Sequence, residues 1–207
     1  MPSIQESVRC LALVLTVLLL AACGDKPFKP LPANSVVLAF GDSLTYGVGA
    51  DDAQSYPAVL AQKTGWQIVN AGVPGETAAQ ARQRFSATLD DVKPRLVLLC
   101  LGGNDFLQKL PAEQTKAELG LMLDELKRRN LPVLLIGVPK LGLGLETPAL
   151  YHEVAEAYQV PLNEDSLAQI LAKSSLKSDL VHPNAAGYRQ LADELADQLA
   201  DLGALRQ

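Results

Sequence analysis

The stretch "LAFGDSLTYGVGA", Leu38–Ala50, decides how this chain is read. An apolar run stops at Gly41-Asp42-Ser43, and Gly47 and Gly49 follow closely. That pattern is a buried strand emptying into a turn. Two readings of the turn compete. Asp42 and Ser43 can bend the chain and cap a helix, as Gly-Asp-Ser clusters commonly do. Alternatively, Ser43 is a nucleophile presented at a strand end. The stretch alone favours the plain turn, so the surrounding chain has to decide.

Outward from it, apolar runs rich in β-branched residues alternate with helical patterns. Strands are expected over Ser35–Phe40, Gln67–Ala71, Arg95–Leu101 and Pro132–Val138, with a short one near Val160–Leu162. Helices are expected over Tyr56–Lys63, Thr77–Val92, Glu113–Asn130, about Pro148–Tyr158, and Asn184–Leu202. Runs such as "RLVLLCL" show almost no polar alternation, which is the pattern of parallel strands buried on both faces. The expectation is an α/β fold, a doubly wound three-layer sandwich with a mainly parallel sheet of about five strands. Such sheets bind ligands in the crevice beyond the carboxyl ends of their strands. If Ser43 is functional, its partners must also lie just after strands.

They do. "NAGVPGET", Asn70–Thr77, follows strand two, and "LGGNDF", Leu101–Phe106, follows strand three. "SDLVHPNAAGY", Ser178–Tyr188, lies beyond the last strand and carries Asp179 and His182. A serine nucleophile needs a base, and the base needs an orienting acid. The chain has two histidines. His152 sits in the helical pattern "ALYHEVAEAY" and reads as a solvated or packed helix residue. His182 follows Asp179 by three residues, so a turn can bring both side chains to one side.

Taken together, the four blocks resemble the GDSL esterases of the SGNH-hydrolase superfamily, particularly the small periplasmic thioesterase I/lysophospholipase type. "FGDSLTYGVGA" resembles the first block, "NAGVPGET" the more variable second, "LGGNDF" the third and "DLVHPN" the last. The resemblance covers nearly all of Ser35–Gln207 and implies a flavodoxin-like SGNH-hydrolase domain over 35–207. It implies Ser43 as nucleophile, His182 as general base and Asp179 as its partner. The oxyanion hole it implies comprises the backbone N–H groups of Ser43 and Gly75 with the side-chain amide of Asn104. Gly72 competes with Gly75 for that role, and Gly75 is preferred because it precedes the acid–Thr pair Glu76-Thr77. Asp42 and Asp105 are read as structural. The reaction implied is hydrolysis of a carboxylic ester or thioester through an acyl-enzyme on Ser43, of arylesterase, acyl-thioesterase or lysophospholipase character. Rivals are an acetylesterase acting on cell-envelope carbohydrate and a non-catalytic binding lipoprotein.

Other chemistries find no motif. The Gly-x-Ser-x-Gly elbow, the dinucleotide fingerprint and the phosphate loop do not occur, and "HEVAE" lacks the second histidine of a zinc protease. No cofactor and no metal are expected. The net charge of −5 speaks against a nucleic-acid partner. The partner expected is a small-molecule or lipid acyl ester. For its acyl chain, an apolar wall is expected from "KLGLGLETP", through Leu141, Leu143 and Leu145, together with Phe106–Pro111.

The first 22 residues carry Arg9, the apolar run "LALVLTVLLL", and Ala21-Ala22 before Cys23. That is the layout of an export signal, too short in its apolar part for a membrane span. "LAAC" resembles the lipobox of bacterial lipoproteins, which implies removal of residues 1–22 and lipidation of Cys23. The lipid would tie the chain to the membrane on the periplasmic side of the envelope, with the outer membrane favoured because Gly24 rather than Asp follows the cysteine. Residues 23–34, with Pro27, Pro30 and Pro32, read as a lipidated tether. Cys10 leaves with the signal, and Cys100 reads as a small core residue.

Overall fold

Strand β1 (Val36–Gly41) runs through the middle of the molecule, and the side chains of Val37, Leu38, Ala39 and Phe40 are wholly buried. The computed structural model of the chain describes residues 26–142 and 144–205; the expected export signal, Cys23 and Leu143 lie outside the described residues. Beside β1 lie β2 (Gln67–Gly72) and β3 (Leu96–Cys100), followed outward by β4 (Val133–Ile136) and β5 (Leu162–Asn163). All pairings are parallel, in the order β2-β1-β3-β4-β5. Parallel neighbours need long crossovers, and each crossover here contains helix. The result is the α/β fold expected from the sequence.

The helices are α1 (Ser43–Tyr46), α2 (Tyr56–Thr64), α3 (Ala78–Val92), α4 (Gly103–Leu107), α5 (Ala112–Arg128), α6 (Leu150–Tyr158), α7 (Ser166–Leu171) and α8 (Ala185–Asp201). On one face of the sheet α2 packs against α8; on the other α3, α5 and α6 pack side by side. β1, β3 and β4 are sealed between these layers, which is why their sequences carry no polar alternation. Phe40 meets Phe85 of α3 edge to face, with centroids 4.7 Å apart. Truncating such a ring to alanine costs about 3–5 kcal/mol. The edge strands differ: β2 exposes Gln67, Val69 and Asn70, and β5 has only two residues. Short, polar edges resist pairing with other chains.

The last strand begins two residues later than its sequence pattern predicts. Gln159 adopts a left-handed conformation that ends α6, and the Val160 N–H closes that cap on the Ala155 carbonyl. Pro161 has no N–H to donate, so the ladder starts at Leu162.

The segment expected to be a tether is, from residue 26 onward, part of the domain. Phe28 is buried, and its N–H donates to the Leu202 carbonyl at 2.9 Å. The Leu31 N–H donates to Ala204 at 2.8 Å, and the Asn34 N–H to Gly65 at 2.8 Å. The prolines therefore stiffen a docked strap. A buried aromatic and three backbone bonds outweigh a composition that reads as linker.

Candidate active site

In the sheet order β2-β1-β3-β4-β5, the connections leave β1 and β3 in opposite directions, which opens a crevice above their carboxyl ends. Ser43 follows β1 by two residues, as the first residue of α1, and Asn104 follows β3 within α4. Asp42 caps α1, its Oδ1 accepting the Leu44 N–H at 3.0 Å. This cap turns the chain sharply and leaves the serine on the crevice floor. Asp42 thus makes the turn, and the same turn displays the Ser43 hydroxyl.

His182 arrives from 139 residues away, with Nε2 2.9 Å from Ser43 Oγ. Its Nδ1 is 2.8 Å from Asp179 Oδ2. The other carboxylate oxygen, Oδ1, accepts the N–H groups of Val181 and His182, each at 2.8 Å. The acid therefore shapes the loop that carries the imidazole as well as touching the ring. Partial burial works against the charged form of Asp179, but the His182 ring and the two backbone donors outweigh it and hold its pKa below the usual value. Close approach of the two loops depends on Gly49: at φ +101°, a Cβ there would lie 2.2 Å from Ser178 Oγ and 2.4 Å from the Pro183 carbonyl. Tyr188 of α8 pins the same turn, its hydroxyl donating to the Val48 carbonyl at 2.8 Å.

Opposite the imidazole stand Gly75 and Asn104. Gly75 has φ +85°, with open space where a Cβ would be, and it lines the crevice. Gly72 lies against the backbone of Tyr46, where a Cβ would come within 2.2 Å of its nitrogen, so it serves packing. Asn104 Nδ2 donates to the Glu76 carbonyl at 2.9 Å and lies 3.4 Å from Asp42 Oδ2. Burial pushes the Asp42 carboxyl up to about 7, with the Leu44 N–H only partly opposing it and the carboxylates of Asp105 and Glu76 adding to the rise. Asp105 is a brace: Oδ2 accepts the Ala78 N–H at the start of α3, and Oδ1 accepts from Thr115.

The cavity over these residues has a volume of about 310 Å³. Phe106, Leu107 and Leu141 line it, with Val138, Leu171 and Val181 completing an apolar wall. Leu145, expected in that wall, does not line the cavity, because the Lys140 N–H donates to the Glu146 carbonyl and pinches the loop into a short excursion. Leu143 lies outside the described residues. His152 stands apart on α6, its Nε2 2.5 Å from Glu164 Oε1, with both side chains largely exposed. Among the described residues no group of three or more His, Cys, Asp or Glu is placed to hold a metal ion.

The geometry can be set beside known proteins. Residues 39–190 match the model of the GDSL-like Lipase/Acylhydrolase family. The chain belongs to that family. The Escherichia coli (strain K12) protein named "Thioesterase 1/protease 1/lysophospholipase L1" is 32% identical over 180 residues, covering 82% of this chain and 86% of the relative. An arylesterase of Vibrio mimicus is 27% identical over 203 residues, 93% of this chain and 98% of the relative. Among solved structures, AlinE4, titled a SGNH-hydrolase family esterase, superposes with a TM-score of 0.63 at 33% identity, covering 82% of this chain and 97% of that one. The protein is a GDSL-type esterase, an ester-bond hydrolase.

Several residues of this GDSL esterase escaped the sequence reading. Leu171 reaches the cavity from α7, a six-residue helix whose sequence "SLAQIL" is too short to show a period. Arg84 of α3 binds both carboxylate oxygens of Glu76 and donates to the carbonyls of Gly41 and Ala71, while stacking 4.1 Å over Phe40. It ties the ends of β1 and β2 to the loop that carries Gly75. The one available signal was its position on α3, two helical turns beyond Thr77.

Proposed function

We propose that Ser43 attacks the acyl carbonyl of an ester or thioester and forms an acyl-enzyme. The observation that carries this is the continuous relay of Ser43 Oγ, His182 Nε2, His182 Nδ1 and Asp179 Oδ2, with contacts of 2.9 and 2.8 Å. His182 takes the hydroxyl proton as the C–O bond forms, then returns it to the departing alcohol or thiol. Asp179 holds the tautomer and stabilises the imidazolium. The backbone N–H groups of Ser43 and Gly75 and the Asn104 amide receive the developing oxyanion, an arrangement worth about 3–4 kcal/mol per donor. Asn104 Nδ2 donates to the Glu76 carbonyl. Substrate entry exchanges that bond for one to the oxyanion. Water then repeats the cycle on the acyl-enzyme with His182 as base.

The apolar wall of Phe106, Leu107, Leu141 and Leu171 supports a medium-length acyl group over acetate. Arylesters, thioesters and lysophospholipids all present such a group beside a varied leaving group. The sequence "LAAC" supports export and lipidation at Cys23, and so a protein with a signal over 1–22, a short lipid-bearing stretch over 23–25 and a catalytic domain into which the strap is docked from residue 26 onward, held at the periplasmic side of the envelope.

A fluorophosphonate probe tests the mechanism. It is expected to label Ser43, shown by mass spectrometry of the labelled peptide, and Ser43→Ala is expected to lose labelling and hydrolysis together. Labelling of another serine, or no labelling of the unmodified protein, would overturn the assignment. Incorporation of a fatty-acid analogue that disappears in Cys23→Ser tests the anchor.

A further inference from the structure

The strap of residues 26–34 enters the domain at the pole opposite the crevice. Its bonds run to Leu202 and Ala204, beyond the carboxyl end of α8, and to Gly65, which precedes β2. Asn184 caps the other end of α8, two residues from His182. The 17 residues of α8 therefore separate strap from crevice by about 25 Å. Only three residue steps join Cys23 to Lys26, a reach of at most about 11 Å. Lys26 is itself held, its Nζ donating to the Ala200 carbonyl at 3.2 Å.

Charged side chains of both signs crowd the same pole: Lys26, Lys29, Lys93, Arg95, Lys127 and Arg128 are exposed around it, as are Asp91, Asp124, Glu156, Asp197 and Asp201. Lys63 there is paired with Asp193, and Arg129 with Asp90 and Glu125. An exposed, charged pole beside a lipid anchor suits the polar headgroup layer of a bilayer.

We infer that the strap docks this pole against the membrane that holds the anchor and turns the crevice away from it, so the substrates are acyl esters arriving from the aqueous compartment, not lipids of that leaflet. The inference rests on the lipid-anchor reading of Cys23. Undocking would be needed to reverse it: residues 24–35 set free could span roughly 40 Å, enough to bring the crevice back to the surface. Burial of Phe28 and the bonds of Leu31 and Asn34 prevent this.

The test uses the lipidated protein in vesicles of phosphatidylethanolamine and phosphatidylglycerol. The probe is a two-chain phosphatidylethanolamine whose headgroup carries the butyrate ester of a fluorogenic phenol, placed in the same vesicles as the protein or in separate ones. The expected rate advantage of the shared vesicle is below threefold; a larger advantage overturns the inference. Inserting 20 Gly/Ser residues between Asp25 and Lys26 is expected to raise that advantage above threefold, and an insertion without effect overturns it as well. Hydrolysis of p-nitrophenyl butyrate in water checks that the inserted chain is folded and active. Mass spectrometry of the amino-terminal peptide reports the lipid separately. Its absence overturns the anchor reading and, with it, this orientation in the cell. A maleimide lipid coupled to Cys23 of a purified chain that begins at Cys23 then judges the geometry alone by the same threefold criterion, because Cys10 is absent from it and Cys100 is buried.

Discussion

The molecule holds two histidine–carboxylate pairs, and they differ in what stands beyond the ring. His152 and Glu164 approach to 2.5 Å across α6 and the end of β5, with half of the His152 side chain exposed. His182 and Asp179 lie 2.8 Å apart, and the other ring nitrogen meets a serine. An exposed pair of this kind contributes between nothing and about 1 kcal/mol. The second pair is chemically distinct because the sheet delivers a hydroxyl to it, and because its acid accepts two backbone N–H groups that fix the loop. A carboxylate beside an imidazole is common surface chemistry. The strand end makes the difference.

The contrast can be broken by substitution. Ser43→Ala and His182→Ala are each expected to lower kcat/KM at least about 10⁴-fold, as removal of a unit acting together does. His152→Ala is expected to stay within twofold. A large loss in the His152 variant with folding intact would erase the distinction between the pairs.

A second comparison weighs the two acids. Asp179→Asn is expected to reduce kcat about 10³-fold with little change in KM, because both imidazole orientation and stabilisation of its cation are lost. Glu164→Gln should leave steady-state kinetics unchanged. Asn104→Ala tests the opposite wall and is expected to cost about 10²-fold in kcat.

A third carboxylate sharpens the comparison through pH. Asp179 is held below its usual pKa by its donors, whereas burial raises Asp42 to about 7 from an ordinary 3.8. The folded chain therefore binds a proton at Asp42 that the unfolded chain has released. Its stabilising contribution is complete below about pH 4 and is lost as pH rises through about 7, a change of roughly 3–5 kcal/mol. Urea midpoints measured at pH 5 and pH 8 are expected to fall in the native chain and to change much less in Asp42→Asn. Equal pH dependence in the two proteins would place the titration elsewhere.

The smallest effect concerns the wall. Each methylene buried there is worth about 0.8 kcal/mol, about fourfold in kcat/KM. Leu141→Ser is expected to flatten the preference for butyrate to octanoate over acetate while sparing acetate hydrolysis. A preference that declines steadily from acetate in the native chain would favour action on acetylated carbohydrate.

Much of this was legible in the chain. β1 and β3 show as unbroken apolar runs because two helical layers cover them, and the blocks after them show because strand ends on one edge of a parallel sheet converge. The missing parts depend on distance. Phe28 looks like linker until the end of α8 covers it. Leu171 belongs to a helix too short to show a period, and Arg84 finds its partners on two strands and a loop. Leu145 follows the alternation of Leu141 and Leu143 in sequence, but the Lys140–Glu146 bridge takes it out of line.

The contact between Ser43 and His182 closes a loop of 139 residues, and the turn at Gly49 seats against Ser178 and Pro183, just ahead of α8. On the proposed mechanism, a chain lacking its final segment keeps the serine but leaves it without a base. Catalytic competence is thus a property of the completed chain, and labelling by a serine-directed phosphonate becomes a census. In a mixture of nascent, misfolded and mature molecules, it counts those whose two ends have met.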